Sequence, residues 1–292
     1  MKTYKISYAD HTLELGRHTC IMGILNVTPD SFSDGGKFFR YEDAMAQAEK
    51  MVEDGADIID IGGESSRPFS EEVSLEEEAR RVLPVIEKLA PRIPIPISID
   101  TTKAGIARQA IEAGASIIND ISSLQFDPDM GAVAAEYNTP VILMHIRGTP
   151  KTMQVSPEYD DIIGEISTFF EDAIRRAEKS GISRSKLIID PGIGFGKTVG
   201  HNLSLIQHLH EFESFDVPIL IGPSRKAFIR NILKGDTGKD IDPALPQVET
   251  GTQAAVAASI LHGAHIVRVH DVANTSMTIR IIDEIRNSKL IQ

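Results

Sequence analysis

The chain is short of three things: cysteine, positive charge and long apolar runs. Its single cysteine, Cys20, excludes an intrachain disulfide and a cysteine-based zinc cluster. Thirty Lys and Arg against 42 Asp and Glu leave a net charge of −12, which argues against a nucleic-acid or membrane surface, since either would need a basic face. No apolar run approaches the length of a membrane span, and no signal-peptide pattern opens the chain. A cytoplasmic protein is expected. Linker-like stretches, composition breaks and internal repeats are missing as well, so residues 1–292 read as one domain, within the size range of a single α/β barrel.

The apolar content of 41% supplies a core. Residues 1–19 alternate apolar and polar (Tyr4, Ile6, Tyr8, Leu13, Leu15), which reads as an N-terminal hairpin closing the floor of the domain. Strand patterns follow near 21–27, 57–62, 96–100, 116–121, 140–145, 186–190, 218–222 and 265–270. Amphipathic helical stretches lie between them at 41–54, 74–90, 103–113, 129–137, 160–180 and 200–213, then a broken one over 226–260 and a last at 272–287. In the fifth, Ile162, Ile166, Phe169, Ala173 and Ala177 share one face. Gly235 to Thr250 reads as a surface insert. The alternation predicts a (β/α)8 TIM barrel with a short N-terminal β-hairpin. An open doubly wound sheet is the alternative, because periodicity does not show closure.

In a barrel all strands end at one face, where catalytic groups gather. The ends here are polar throughout: Asn26; Gly62 to Pro68; Asp100; Asn119 and Asp120; His145 and Arg147; Asp190; Ser224, Arg225 and Lys226; Arg268 and His270. Thr101 and Thr102 read as caps of the next helix. Asp100, Asn119 and Asp190 leave apolar strands and are expected to be buried, where carboxylates need donors. Lys226 or Arg225 could supply them internally. Otherwise the donors come from a ligand with a guanidine-like edge, with Asn119 and Lys226 matching mixed and carbonyl edges; a 2-amino-4-oxo pteridine offers all three. A second set, Arg67, Arg268, His270 and Asn26, suits phosphate or carboxylate, with Asn26 able to hold an Mg2+–phosphate complex through its oxygen. The competing reading for this set is a surface ion pair with Asp271 or a neighbouring acid.

PGIGFGKT at 191–198 nearly matches the phosphate-binding GxxxxGK[ST] loop. Pro191 stands at the first glycine, and Asp190 would put a charge beside phosphate. His201, His208, His210, His262 and His265 lack metal-site spacing, and Cys20 reads as an inert small hydrophobe.

The blocks NVTPDSFSDGG, DIGGESSRP, SIDT, IINDIS, LMHIRGTP, IIDPGIGFGKT, GPSRKAFI and VRVHDV, spread from residue 26 to 272, closely resemble the dihydropteroate synthase family. The resemblance implies a TIM barrel, usually homodimeric. It implies joining of 6-hydroxymethyl-7,8-dihydropterin diphosphate to p-aminobenzoate with loss of pyrophosphate, with Mg2+ required and sulfonamides competing at the aminobenzoate site. It assigns pterin binding to Asp100, Asn119, Asp190 and Lys226, with Met144 and Phe195 as walls and Arg268 stacking on the pterin. Asn26, Arg268 and His270 form the diphosphate pocket, Asn26 lying near the metal. Phe32, Ser66, Arg67, Pro68 and Ser224 shape the aminobenzoate site, on loops 27–37 and 63–69. Asp100, Asp34, Arg67, Lys226 and Arg268 are the residues implied in catalysis. The implied chemistry is a dissociative substitution in which pyrophosphate leaves first and a neutral arylamine then attacks. That fits a set of residues with no nucleophile–base pair.

Two positions depart from the family's pattern. Ser66 stands where threonine is usual, and Phe69 where glycine is common. Both bear on aminobenzoate and sulfonamide affinity. The competing functions are a pterin-dependent methyltransferase domain, which has no use for a diphosphate pocket, and a catalytically silent pterin-binding paralogue.

Overall fold

Short runs rich in branched apolar residues make the strands of the main sheet, and each of these is followed by a helix that covers its outer side. The structure, a computed structural model, describes residues 2–8, 11–27, 37–66, 70–235 and 238–288. It opens with β1 (Tyr4–Tyr8) and β2 (His11–Leu15), an antiparallel hairpin. Then come β3 (Cys20–Asn26), α1 (Lys37–Glu53), β4 (Ile58–Gly62), α2 (Leu75–Leu89), β5 (Ile97–Asp100), α3 (Ala104–Glu112), β6 (Ile117–Asp120), α4 (Met130–Glu136) and β7 (Val141–Met144). The chain continues with α5 (Ile162–Lys179), β8 (Leu187–Asp190), α6 (Val199–Gln207), β9 (Leu220–Ile221), α7 (Ala227–Leu233), α8 (Pro246–Leu261), β10 (Ile266–Val269) and α9 (Val272–Asn287).

The main sheet is parallel in the order β8-β7-β6-β5-β4-β3-β10-β9. A parallel bridge between Ile189 and Ile219, with Ile189 N–H donating to the Pro218 carbonyl at 3.0 Å, joins its two ends. The sheet is therefore a closed TIM barrel, and the open doubly wound alternative falls.

Strand periodicity divides the core in two. Outward residues such as Leu25, Ile61, Ile99, Leu143, Ile189 and Val267 pack under the helices; burying each contributes roughly 1.5–3 kcal/mol. Inward residues Cys20, Met22, Ile58, Ile117, Ile142, Ile188, Leu220 and Ile266 form a separate floor cluster with Ile6, Tyr8, Leu13 and Leu15 of the hairpin. The hairpin thus plugs the barrel from below. Two residues further along the same inward faces stand Asp60, Asn119, Met144, Asp190, Gly222 and Arg268. An apolar floor with a charged layer directly above it is what positions the site.

Local details depart from expectation in four places. Thr101 and Thr102 do not cap α3; its first N–H, on Ala104, is taken by Asp127 Oδ2 at 2.8 Å, while Thr101 Oγ1 accepts from Lys103 N–H. On α5 the buried aromatic is Phe170, and Phe169 turns its edge to His145 with ring centroids 4.8 Å apart. The stretch expected at 200–213 breaks after Gln207 into a 3-10 turn, Leu209–Phe215, that ends on left-handed Asp216. The insert is shorter than expected because Pro246 opens α8, a first-turn position where its missing N–H costs nothing.

Candidate active site

The inward charged layer forms a buried network. Arg268 donates from Nε to Asp60 Oδ2 at 2.6 Å and from Nη2 to Asp100 Oδ2 at 2.7 Å. Asn119 Nδ2 donates to the same Asp60 oxygen at 3.0 Å. Asp60 has no exposed surface, and its Oδ1 has no partner among the described residues. The hydrogen-bonded partner of Asp100 is Arg268, while Arg225 is drawn to Glu249. Arg268 is paired with acids, as the competing reading allows, but with the buried Asp60 and Asp100 inside the barrel and not at the surface with Asp271, which caps α9. Two carboxylates therefore share one guanidinium.

That sharing sets the electrostatics. Burial, followed by the neighbouring negative charges of Asp60 and Glu78, pushes Asp100 up to about 7 against the pull of Arg268 and Lys226. Burial also lifts Asp190 to about 6, opposed by the Gly192 N–H at 2.7 Å and by Lys226. Both groups sit at the edge of ionisation near neutral pH, so a ligand offering N–H donors would hold them as carboxylates.

One cleft is lined by Ser66, Asp100, Asn119, Met144, Asp190, Phe195, Lys226 and Arg268. These sequence-predicted residues, drawn from both the pterin and the aminobenzoate sets, meet at one place. Lys226 Nζ lies 3.9 Å from the centre of the Phe195 ring, a cation–π contact. Gly192, Gly194 and Gly196 all adopt positive φ. At Gly192 a Cβ would stand 2.0 Å from the His145 carbonyl oxygen, so only glycine allows the turn that returns Phe195 to the cleft. Lys197 does not point at a phosphate. It is buried, donates to the Phe195 carbonyl at 2.9 Å and lies 2.9 Å from His145 Nδ1. Burial holds Lys197 down at about 7 and, with the Lys197 charge, holds His145 well below its usual range.

The remaining predicted residues lie around this cleft. Asn26 ends β3 beside Gly62. Ser224 is buried, its hydroxyl 2.9 Å from His270 Nδ1, and it accepts from the His270 N–H at 3.2 Å. Arg225, in the left-handed region at φ 57°, turns the backbone between Ser224 and Lys226. Phe32, Asp34, Arg67, Pro68 and Phe69 lie outside the described residues. The loop bearing Ser66 is tied at its base: Arg81 donates to the Gly63 carbonyl at 2.8 Å, and Lys103 bridges Glu64 and the buried Glu78.

Some strand-end residues turn away. Asp120 accepts from Ser122 and Leu124 N–H groups and shapes the next turn. Arg147 stacks on Tyr159 and pairs with Glu165 in a neighbouring groove. Sequence reasoning passed over Asp60, the hub of the network. Its signal was a charge in mid-strand sharing inward parity with Ile58.

Fold and site define a barrel enzyme with its polar pocket at the carboxyl ends of the strands, and the family described as "Pterin binding enzyme" matches residues 22–270. The dihydropteroate synthase of Synechocystis sp. is 48% identical over 269 residues, covering 92% of this chain and 90% of that protein. Among solved structures, Yersinia pestis dihydropteroate synthase with a sulfonamide drug complex has TM-score 0.89 and 43% identity, covering 97% of this chain and all of that one. Xanthomonas albilineans dihydropteroate synthase with 4-aminobenzoic acid has TM-score 0.90 and 39% identity, covering 99% of this chain and all of that one. The chain belongs to the dihydropteroate synthase family.

Proposed function

We propose that the chain condenses 6-hydroxymethyl-7,8-dihydropterin diphosphate with p-aminobenzoate, releasing pyrophosphate and forming 7,8-dihydropteroate. The observation that carries this reading is the Asp60–Arg268–Asp100 bridge at the wall of the predicted pterin cleft, with the Ser224–His270 pair beyond it. Asp100, Asn119 and Asp190 accept or match the pterin's polar edge, Lys226 donates to its carbonyl, and Met144 and Phe195 cover its faces. Arg268 reaches from the pterin toward the diphosphate, where Asn26 and His270 complete the anion pocket. As pyrophosphate leaves, positive charge develops on the pterin methylene, and Asp100, held as a carboxylate by Arg268 together with the bound pterin's N–H edge, stabilises it. The arylamine attacks as the neutral base. Phe32, Ser66, Arg67, Pro68 and Ser224 shape the aminobenzoate site, and Asp34 and Arg67 join Asp100, Lys226 and Arg268 in catalysis. Ser66 and Phe69 tune aminobenzoate and sulfonamide affinity.

Mg2+ fits this set as a diphosphate-bound ion. The amide oxygen of half-buried Asn26 accepts no hydrogen bond among the described residues and offers one hard ligand, an arrangement usual for a metal that keeps water and phosphate oxygens around it. Bound there, the ion would neutralise leaving-group charge. We also infer a cytoplasmic homodimer. A free, buried thiol suits a reducing compartment, and α9 exposes an apolar stripe of Met277, Ile281 and Ile285 suited to self-association. Among the described residues no helix is long and apolar enough to cross a membrane.

The test is pyrophosphate release from the pterin diphosphate with Mg2+, with and without p-aminobenzoate, following dihydropteroate in parallel. Release matched by product supports the synthase. Tight pterin diphosphate binding without release would overturn it in favour of the silent paralogue.

A further inference from the structure

The barrel's opposite end carries a cluster that the synthase reaction does not use. His18 lies in the turn before β3, Cys20 is the first residue of β3, and Asp57 immediately precedes β4. Their Nε2, Sγ and carboxylate oxygen lie within 4.8 Å of one another. The Cys20 Sγ to His18 Nε2 distance is 3.6 Å, and His18 Nε2 to Asp57 Oδ1 is 3.8 Å. We propose that His18, Cys20 and Asp57 form a binding site for a tetrahedral divalent transition ion of the Zn2+ class, clasping the starts of β3 and β4.

The geometry carries the proposal. With metal–sulfur, metal–nitrogen and metal–oxygen bonds of about 2.3, 2.05 and 2.0 Å, tetrahedral ligands stand about 3.6 Å (S to N) and about 3.3 Å (N to O) apart. The first spacing is already met and the second is about half an ångström wide. His18, with its side chain 55% exposed, can rotate to close it. Asp57 is held ready: its Oδ2 accepts from the Ile21 N–H at 2.8 Å, and its own N–H donates to the Ile21 carbonyl at 2.9 Å. That anchoring orients Oδ1 toward the cluster, the support that ligating carboxylates commonly have. Thiolate with imidazole selects Zn2+ or Co2+ over Mg2+, and a water would supply the fourth ligand. On binding, the Cys20 S–H bond breaks, a sulfur–metal bond forms and one proton is released to water.

This face of a barrel serves stability, not chemistry. The metal therefore acts as a structural clasp, independent of the Mg2+ proposed at the mouth. The test is titration of the EDTA-stripped full chain with Co2+. A near-ultraviolet thiolate-to-cobalt band, intense tetrahedral visible bands and displacement by Zn2+ are expected. Cys20→Ser and Cys20→Ala should both abolish the near-ultraviolet band, and Asp57→Asn should weaken binding, with pyrophosphate release unchanged in all three as proof of folding. Zn2+ at about a hundred times its Kd should raise the wild-type Tm by about 5 °C and leave Cys20→Ser unmoved. A Co2+ spectrum without the sulfur band, or one identical in wild type and Cys20→Ser, would overturn the site and assign the binding to the surface rings of His208, His210 and His262, whose centroids lie 6.3 Å apart in sequence.

Discussion

Asp60→Asn probes the network at its hub. Both hydrogen bonds to Asp60 fall on one oxygen, Oδ2, so an asparagine carbonyl placed there keeps both donors and loses only the charge. Its amide then takes the position of Oδ1. That atom has no partner among the described residues, and neither does the buried hydroxyl of Ser98, the register neighbour of Asp60 in β5. A hydrogen bond to a charged group contributes about 1.5–3 kcal/mol against about 0.5–1.5 for a neutral one. The bond from Asn119 becomes a neutral one, and Arg268 loses an ion pair while keeping its own charge, a combined loss of about 1.5 kcal/mol, roughly tenfold in kcat/KM for the pterin substrate. The sharper consequence is in pH dependence. The Asp60 charge raises Asp100, which stands at about 7, so removing it lowers the Asp100 pKa. Activity that needs the Asp100 carboxylate is lost as pH falls through that pKa. In Asp60→Asn the acid limb of kcat/KM should therefore move to lower pH, even as the plateau drops. The assay is the pyrophosphate-release profile from pH 5 to 9 at saturating p-aminobenzoate. An acid limb that stays in place or moves up would refute the coupling of Asp60 to Asp100.

Three further outcomes are expected. Asp190→Asn keeps an oxygen for the Gly192 N–H but loses the charge-assisted pair with the pterin; Kd for the pterin should rise roughly 10-fold or more, while Tm shifts little. A large Tm drop with affinity intact would make Asp190 a structural residue. Because Asp100 and Asp190 stand at about 7 and about 6 when free, binding the pterin's N–H edge should release protons at pH 6; calorimetry in buffers of different ionisation enthalpy measures this, and zero release would contradict the carboxylate-to-pterin contacts. Lys197 has a folded pKa of about 7, depressed from 10.5 by burial. The unfolded chain thus binds the extra proton between those values, and the stability Lys197 contributes rises with pH across that window. The Tm difference between wild type and Lys197→Met should widen in favour of wild type from pH 7 to 9, and a flat difference would refute the depressed pKa.

The frame was legible because strand and helix periods differ so plainly here. The runs from Ile97 to Asp100 and from Leu187 to Asp190 could be read as strands ending on a charge, and the same period-2 logic put Arg268 and His270 on one side. What the pattern could not supply was which distant groups meet. The partner of Asp100 is Arg268, on a strand reached only after the barrel closes, whereas Lys226 and Arg225 looked nearer because they carry charge at another strand's end. Adjacent polar pairs were ambiguous for the same reason. Asn119 faces the cleft while Asp120 faces the following turn, and only the direction of Ile117 into the floor decides between them.

Asp60 was missed for a narrower reason. It opens the block DIGGESSRP, yet attention to strand ends passes over a charge in mid-strand. Such a residue is costly to bury, of the order of several kcal/mol unless paired, so its presence within an apolar strand demands a partner of opposite sign. Ile58 below and Gly62 above give it inward parity as soon as the strand is recognised. Inside the barrel, Arg268 is the cation two residues above the floor on β10, the same height that Asp60 occupies on β4. A rule that pairs inward charges by their height above the apolar floor joins the two from the sequence alone.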